Sequence, residues 1–148
     1  MIKRNEATLI LTGDIVLIVR EFDYVLRIMR VLAQQGRLNV EMICEAEHLP
    51  QPYAYKLLKI LEKAGMVRSF RGRFGGYQLA VKPDKVTMHD IYVAVEGELY
   101  INECMKEGHT CPNNGNGKFC TIHRELCDMQ NHIKNEMQKR SLADMLKD

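Results

Sequence analysis

Apolar residues recur at intervals of three and four through residues 22–35, where Phe22, Val25, Leu26, Ile28, Met29 and Leu32 share one face and Gly36 follows as a stop. That spacing predicts an amphipathic helix. Residues 40–47 carry the same pattern over a shorter stretch, and the segment from His48 to Pro52 interrupts it. Residues 53–64 resume it as far as Gly65, with Pro52 suited to the first turn. In this third helix Leu57, Leu58, Ile60 and Leu61 form the inward face, whereas Tyr53, Tyr55, Lys56 and Lys59 point outward. Two short helices joined by a tight turn read as a helix-turn-helix, whose second helix is the one offered to the major groove of DNA.

After Gly65 the period changes to two. Residues 66–71 and 77–81 alternate around Gly72-Arg73-Phe74-Gly75-Gly76, which predicts a β-hairpin, and Arg68, Arg71 and Arg73 make it a cationic wing. A helix follows over 88–96, opened by Thr87 with Asp90 three residues on and closed by Gly97. Residues 102–119 have the composition of a loop. The last long pattern, 121–139, sets Ile122, Leu126, Met129, Ile133 and Met137 on one stripe. A chain of 148 residues has little core left to cover that stripe, so pairing with the same helix of a second copy is expected. At the other end, residues 8–19 are rich in Leu, Ile and Val around Thr12-Gly13-Asp14, which suits two short strands or a disordered tail. The expected fold is mainly α with a small β-hairpin. Residues 1–19 form an N-terminal extension, 20–97 a winged helix-turn-helix, 98–123 a cysteine-rich loop, and 121–148 a dimerisation helix and tail.

Charge sharpens this picture. The net charge is only +2, but residues 49–85 hold eight Lys or Arg against two acids, while the segments on either side are slightly acidic. A basic segment coinciding with the helix-turn-helix and wing points to double-stranded DNA as partner. On that reading Tyr53, Tyr55, Lys56 and Lys59 contact DNA from the helix, and Arg68, Arg71 and Arg73 from the wing. No stretch reaches the roughly 18 apolar residues that span a bilayer, and none resembles a signal peptide. A cytoplasmic protein without membrane contact is expected. In a reducing compartment, five cysteines are better explained by metal or redox chemistry than by lasting disulfides.

Four of those cysteines fall in the last third of the chain. Cys104 is followed after six residues by Cys111, after eight by Cys120, after two by His123 and after three by Cys127. Structural zinc sites favour tight Cys-x2-4-Cys pairs. Here only Cys120 and His123 are close, and the rest hang on a loop rich in Gly and Asn, which suits an iron-sulfur cluster that is gained and lost. If the last long helix begins at Cys120, then Cys120, His123 and Cys127 share a face. Cys127 is then either a spare ligand or resolving thiol, or a small buried residue on the stripe. Cys44 belongs to the core of the second helix, and His48, His89, His109 and His132 have no spacing partner.

Several runs together resemble one family. These are REFDYVLR at 20–27, KAGMVRSFRG at 63–72, GGYQLA at 75–80 and SLADML at 141–146, joined to the arginine-glycine wing and the downstream cysteine loop. The sequence resembles the Rrf-two family of bacterial transcription regulators, with its IscR-like and NsrR-like branches, from about residue 16 to the C-terminus. The resemblance implies a homodimeric winged helix with crossing C-terminal helices that reads a roughly palindromic operator. It places Pro52, Tyr53, Tyr55 and Lys56 on the recognition helix and Arg71 on the wing. It also implies Cys104, Cys111 and Cys120 as cluster ligands with His123 as the fourth, the pattern of a [2Fe-2S] branch. Asp23, donated from the opposite subunit, is the alternative fourth ligand of a [4Fe-4S] branch. The expected function is a DNA-binding regulator controlled by an iron-sulfur cluster that senses iron, oxygen or nitric oxide. A thiol-disulfide regulator without a cluster and a zinc-stabilised interaction module are the alternatives. No P-loop, nucleotide-binding glycine fingerprint or nucleophile-base pair suggests an enzyme.

Overall fold

The polar and apolar periods become six α-helices and one hairpin in the computed structural model, which describes residues 18–114 and 120–147. The strands or tail expected before residue 18 lie outside the described residues. Helix α1 (Arg20–Gln35) buries Phe22, Val25, Ile28, Met29, Val31 and Leu32. Helix α2 (Val40–Glu47) starts at Asn39, whose Oδ1 accepts the Met42 N–H at 2.8 Å. Helix α3 (Gln51–Lys63) begins two residues before the expected start. Pro50 stands at its cap and Pro52 in its first turn, where a missing N–H breaks no helical hydrogen bond. Ala54, Leu57, Leu58 and Leu61 are its buried face, and Ile60 lies partly buried beside it. Between α2 and α3 His48 adopts the left-handed conformation (φ 52°, ψ 47°), which few side chains enter and which makes the turn sharp.

A polar clamp fixes α1 against that turn. Glu47 is only 6% exposed, and its carboxylate receives Arg30 Nε at 3.0 Å and a second, short bond from the other arm of the guanidinium. The bidentate pairing is what makes a buried carboxylate tolerable.

Strands β1 (Val67–Phe70) and β2 (Gly76–Leu79) pair antiparallel, Val67 opposite Leu79 and Phe70 opposite Gly76. The hairpin does not stand alone. Leu38, just before α2, exchanges both backbone hydrogen bonds with Tyr77, at 3.0 and 2.7 Å, and so fastens the wing to the helical body. Helix α4 (Met88–Glu96) has the capping box that its spacing implied, Thr87 and Asp90 each bonding the other's backbone N–H. Its Tyr92 meets Phe22 of α1 edge to face at 5.0 Å.

Helix α5 (Thr121–Gln138) packs on α4 over part of its length only. Met137 is buried and Ile133 partly so, but Met129 and Ile122 at the other end are 55% and 67% exposed. The chain then turns back. Ser141 and Asp144 cap a one-turn helix α6 (Leu142–Met145), Leu142 N–H bonds Val86 C=O at 2.7 Å, and Ala143 N–H bonds Pro83 C=O at 2.9 Å. Hydrogen bonds from Lys147 and Ser141 hold the Asp144 carboxyl well below the usual carboxylate range. A carboxyl with a lowered folded value stabilises the fold above the ordinary range and loses that contribution as pH falls through the folded value. Wild type is therefore expected to melt above Asp144→Asn at neutral pH, with the gap shrinking on acidification. A constant gap in a pH series of thermal melts would contradict this. No described helix is long and apolar enough to cross a membrane.

Candidate nucleic-acid interface and cysteine site

The outward face of α3 is as the sequence implied: Pro52, Tyr53, Tyr55, Lys56 and Lys59 are all exposed. Tyr53 also touches Tyr24 of α1, ring centroids 6.1 Å apart, so part of its ring is occupied within the fold. Arg68, Arg71 and Arg73 are exposed along the wing. Sequence reasoning missed Arg37. This residue lies outside the basic segment, but the bridge from Leu38 to Tyr77 carries its guanidinium to 3.6 Å from the centre of the Phe70 ring. Arg68 approaches the same ring at 5.3 Å, so one wing aromatic holds two cations in place.

The second assembly lies at the N-terminal end of α5. Cys120 caps the helix, its Sγ accepting the His123 backbone N–H at 3.4 Å, and so faces the electropositive end of eighteen residues of helix. Cys104 sits in a single 3-10 turn, Glu103–Met105, opened by Asn102, whose Oδ1 accepts the Cys104 N–H at 3.0 Å. This turn interrupts the expected loop, and a short polar residue bonding two residues ahead was its signal. Lys106 holds the neighbouring Glu103 carboxyl below its usual range through a 2.7 Å hydrogen bond.

His123 joins these elements. Its Nδ1 lies 3.4 Å from Cys104 Sγ and its Nε2 3.3 Å from Cys127 Sγ. Cys127 is thus neither fully buried nor on the open stripe; it is a neighbour of the imidazole, as an i,i+4 position on a helix permits. Cys111 occupies a separate turn, closed by Asn114 N–H on Cys111 C=O at 3.0 Å. All five cysteines carry free thiols, and burial pushes the Cys44 thiol up. Among the described residues no three His, Cys, Asp or Glu side chains are arranged to hold one metal ion. The imidazole explains part of this, because its two nitrogens face different sulfurs and a single ion takes only one of them. The donor set itself, thiolates with an imidazole, suits an iron-sulfur group. Asp23 is engaged elsewhere, with Arg27 Nε 3.1 Å from each of its carboxylate oxygens.

The cysteine segment is tied to α5 a second time. Gln130, 9% exposed, accepts the Ile101 N–H at 3.0 Å, and Lys134 lies 3.4 Å from Glu98. A buried amide that satisfies a loop N–H is a specific link, since either group left unpaired there costs about 1–3 kcal/mol.

A helix-turn-helix with an exposed cationic second helix, followed by an anchored arginine-bearing hairpin, defines a winged-helix DNA-binding protein. The model of the Rrf2 family, described as iron-dependent transcriptional regulator, matches residues 18–148, and the chain belongs to that family. Its members regulate transcription, bind DNA and are not enzymes. The chain is 32% identical over 117 residues to the HTH-type transcriptional regulator IscR of Aliivibrio salmonicida (strain LFI1238), covering 78% of this chain and 67% of that one. Among solved structures, CymR (YrzC), the global cysteine regulator of B. subtilis, matches with TM-score 0.72 and 27% identity over 89% of this chain and 97% of its own. T. potens IscR matches with TM-score 0.71 and 29% identity over 89% and 87%.

Proposed function

We propose that two copies of the chain form a cytoplasmic homodimer that reads a roughly palindromic operator, with an affinity set by an iron-sulfur cluster on each protomer. The observation that carries this reading is His123 at the start of α5, whose imidazole meets Cys104 Sγ and whose backbone N–H meets Cys120 Sγ, beside a segment bonded to the same helix through Gln130. Cys104, Cys111, Cys120 and His123 would hold the group. It would supply a redox couple and iron open to attack by oxygen or nitric oxide, so that its presence reports iron supply, oxygen or nitric oxide. A [2Fe-2S] group is favoured over [4Fe-4S], because the alternative ligand Asp23 would first have to leave Arg27.

The remaining steps belong to the chain. Ordering the ligand-bearing segment biases α5 through Gln130 and Lys134. The exposed end of α5, with Ile122 and Met129, is the face that meets its counterpart in the second copy. A changed angle between the paired helices changes the separation of the two α3 helices, and hence their fit to two half-sites. Only a difference in affinity between the two arrangements moves this equilibrium, and a useful switch needs roughly 1–3 kcal/mol of coupling.

Anaerobic purification with visible absorption and iron, sulfide and zinc analysis tests the cluster directly. Brown protein with iron and sulfide in cluster stoichiometry is expected, whereas colourless protein with one zinc would make the cysteine site a structural module. For the DNA contacts, Arg71→Ala and Lys56→Ala should each weaken operator binding several-fold, and each lost phosphate contact should flatten the salt dependence by about one unit of slope. Unchanged affinity in both variants would refute the docking.

One observation favours a second reading: Cys104 and Cys127, both free thiols, flank the two nitrogens of a single imidazole. In that reading one hydrogen peroxide takes two electrons and two protons from a pair of loop thiols, which become a disulfide while the peroxide leaves as two waters. Alkylation followed by mass measurement, with and without oxidant, separates the two: thiols protected by oxidant in iron-free protein that resists reconstitution would favour the thiol switch.

A further inference from the structure

The wing carries a ring that neither the fold nor the phosphate contacts use. Phe74 is 82% exposed, whereas Phe22 is buried and Phe70 is partly buried. Its position is not loose. Gly75 N–H bonds Gly72 C=O at 2.9 Å, closing a turn with Arg73 and Phe74 at its centre, and neither central residue has positive φ. At Gly75 an added Cβ would collide with the backbone oxygen of Phe70, so the chain there lies close against its own hairpin. Below the turn the Leu38 bridge to Tyr77 fixes the base of the wing. One cation lies beside the ring, Arg73 at 5.8 Å from its centroid; Arg71 belongs to the same loop, and Arg68 and Arg37 sit on Phe70 within the same hairpin. An apolar ring at the tip of an anchored hairpin that also carries arginines matches a surface that is anionic at its rims and apolar between them.

We propose that Phe74 enters the minor groove of duplex DNA, where its ring packs against sugars and base edges while the neighbouring arginines hold the phosphates on either side. The proposal rests on the DNA-binding reading above and adds to it a contact that involves no charge. Apolar side chains do wedge into minor grooves from protein tips. A phenylalanine at this tip is suited to that role and contributes little to folding, since almost none of it is covered.

The probe is a duplex selected by the wild-type protein from a randomised library. Phe74→Ala is expected to bind it about tenfold more weakly, equivalent to about 1.4 kcal/mol, with an unchanged slope of log affinity against log salt. Arg71→Ala should instead reduce that slope by about one. Because the chain contains no tryptophan, Phe74→Trp installs a sole indole reporter at the tip. Its emission should shift and become shielded from acrylamide when the duplex is added. Equal affinity of wild type and Phe74→Ala, with the introduced indole equally quenchable in the presence and absence of DNA, would overturn the proposal and leave the DNA reading standing. Failure of the wild type to select any duplex would overturn both.

Discussion

Protein carrying Cys120→Ser is expected to emerge from anaerobic purification without iron or sulfide, yet to melt where the cluster-free form of the unchanged chain melts. Cys120 has two roles that this substitution separates. Its sulfur caps α5 by accepting the His123 N–H at 3.4 Å, and the same sulfur is a proposed ligand. Serine is a preferred capping residue, so the helix keeps its acceptor. A hydroxyl is a poor substitute for thiolate toward iron, so the metal is lost. Cys120→Ala removes both roles and should lower stability by about 0.5–2 kcal/mol as well. Operator affinity of Cys120→Ser should then differ from that of the holo dimer by roughly 5–150-fold, the range of ordinary allosteric coupling. Iron and sulfide retained at wild-type levels would remove Cys120 from the ligand set. Holo protein and Cys120→Ser binding the operator equally would leave a cluster without a regulatory role.

The largest expected loss of stability is at Gly76. Its φ of +131° is strained for any side chain, and a Cβ there would sit 2.5 Å from Leu38 O and 2.7 Å from Leu38 C, which are backbone atoms that cannot turn aside. Gly76→Ala should therefore cost roughly 2–4 kcal/mol in urea unfolding, and it should weaken DNA binding because the wing loses its seat on residue 38. Gly72 provides the comparison. It has positive φ, +95°, but open space around it, so Gly72→Ala should carry only the conformational penalty, about 1 kcal/mol. Equal losses at the two positions would show that the close approach to Leu38 has no energetic weight.

What could be read from the sequence was what depends on neighbours along the chain. Thr87, Asp90 and Gly97 announce α4 because a capping box and a stop are local devices, and the inward leucines of α3 announce themselves by spacing. The proximity of His123 and Cys127 was also legible, since four residues make one helical turn. What could not be read depends on distant parts of the chain meeting. Nothing local pairs Arg30 with Glu47, Gln130 with Ile101, or Leu38 with Tyr77. Arg37 escaped notice for this reason: alone it is an ordinary surface cation, and only the bridge beside it brings it to the wing. At the cysteine site the sequence displayed the donors, but the division of His123 between Cys104 and Cys127 emerges only when the 3-10 turn is laid against α5.

The return of α6 to the body also orders the molecule in time. Contacts among α1, α2, α3, the hairpin and α4 join segments that all precede residue 97, whereas the bond from Leu142 to Val86 closes a loop that contains Cys104, Cys111, Cys120 and the whole of α5. During synthesis from the N-terminus, every segment of the proposed DNA-reading surface is therefore made before the segment that holds α5 against the body.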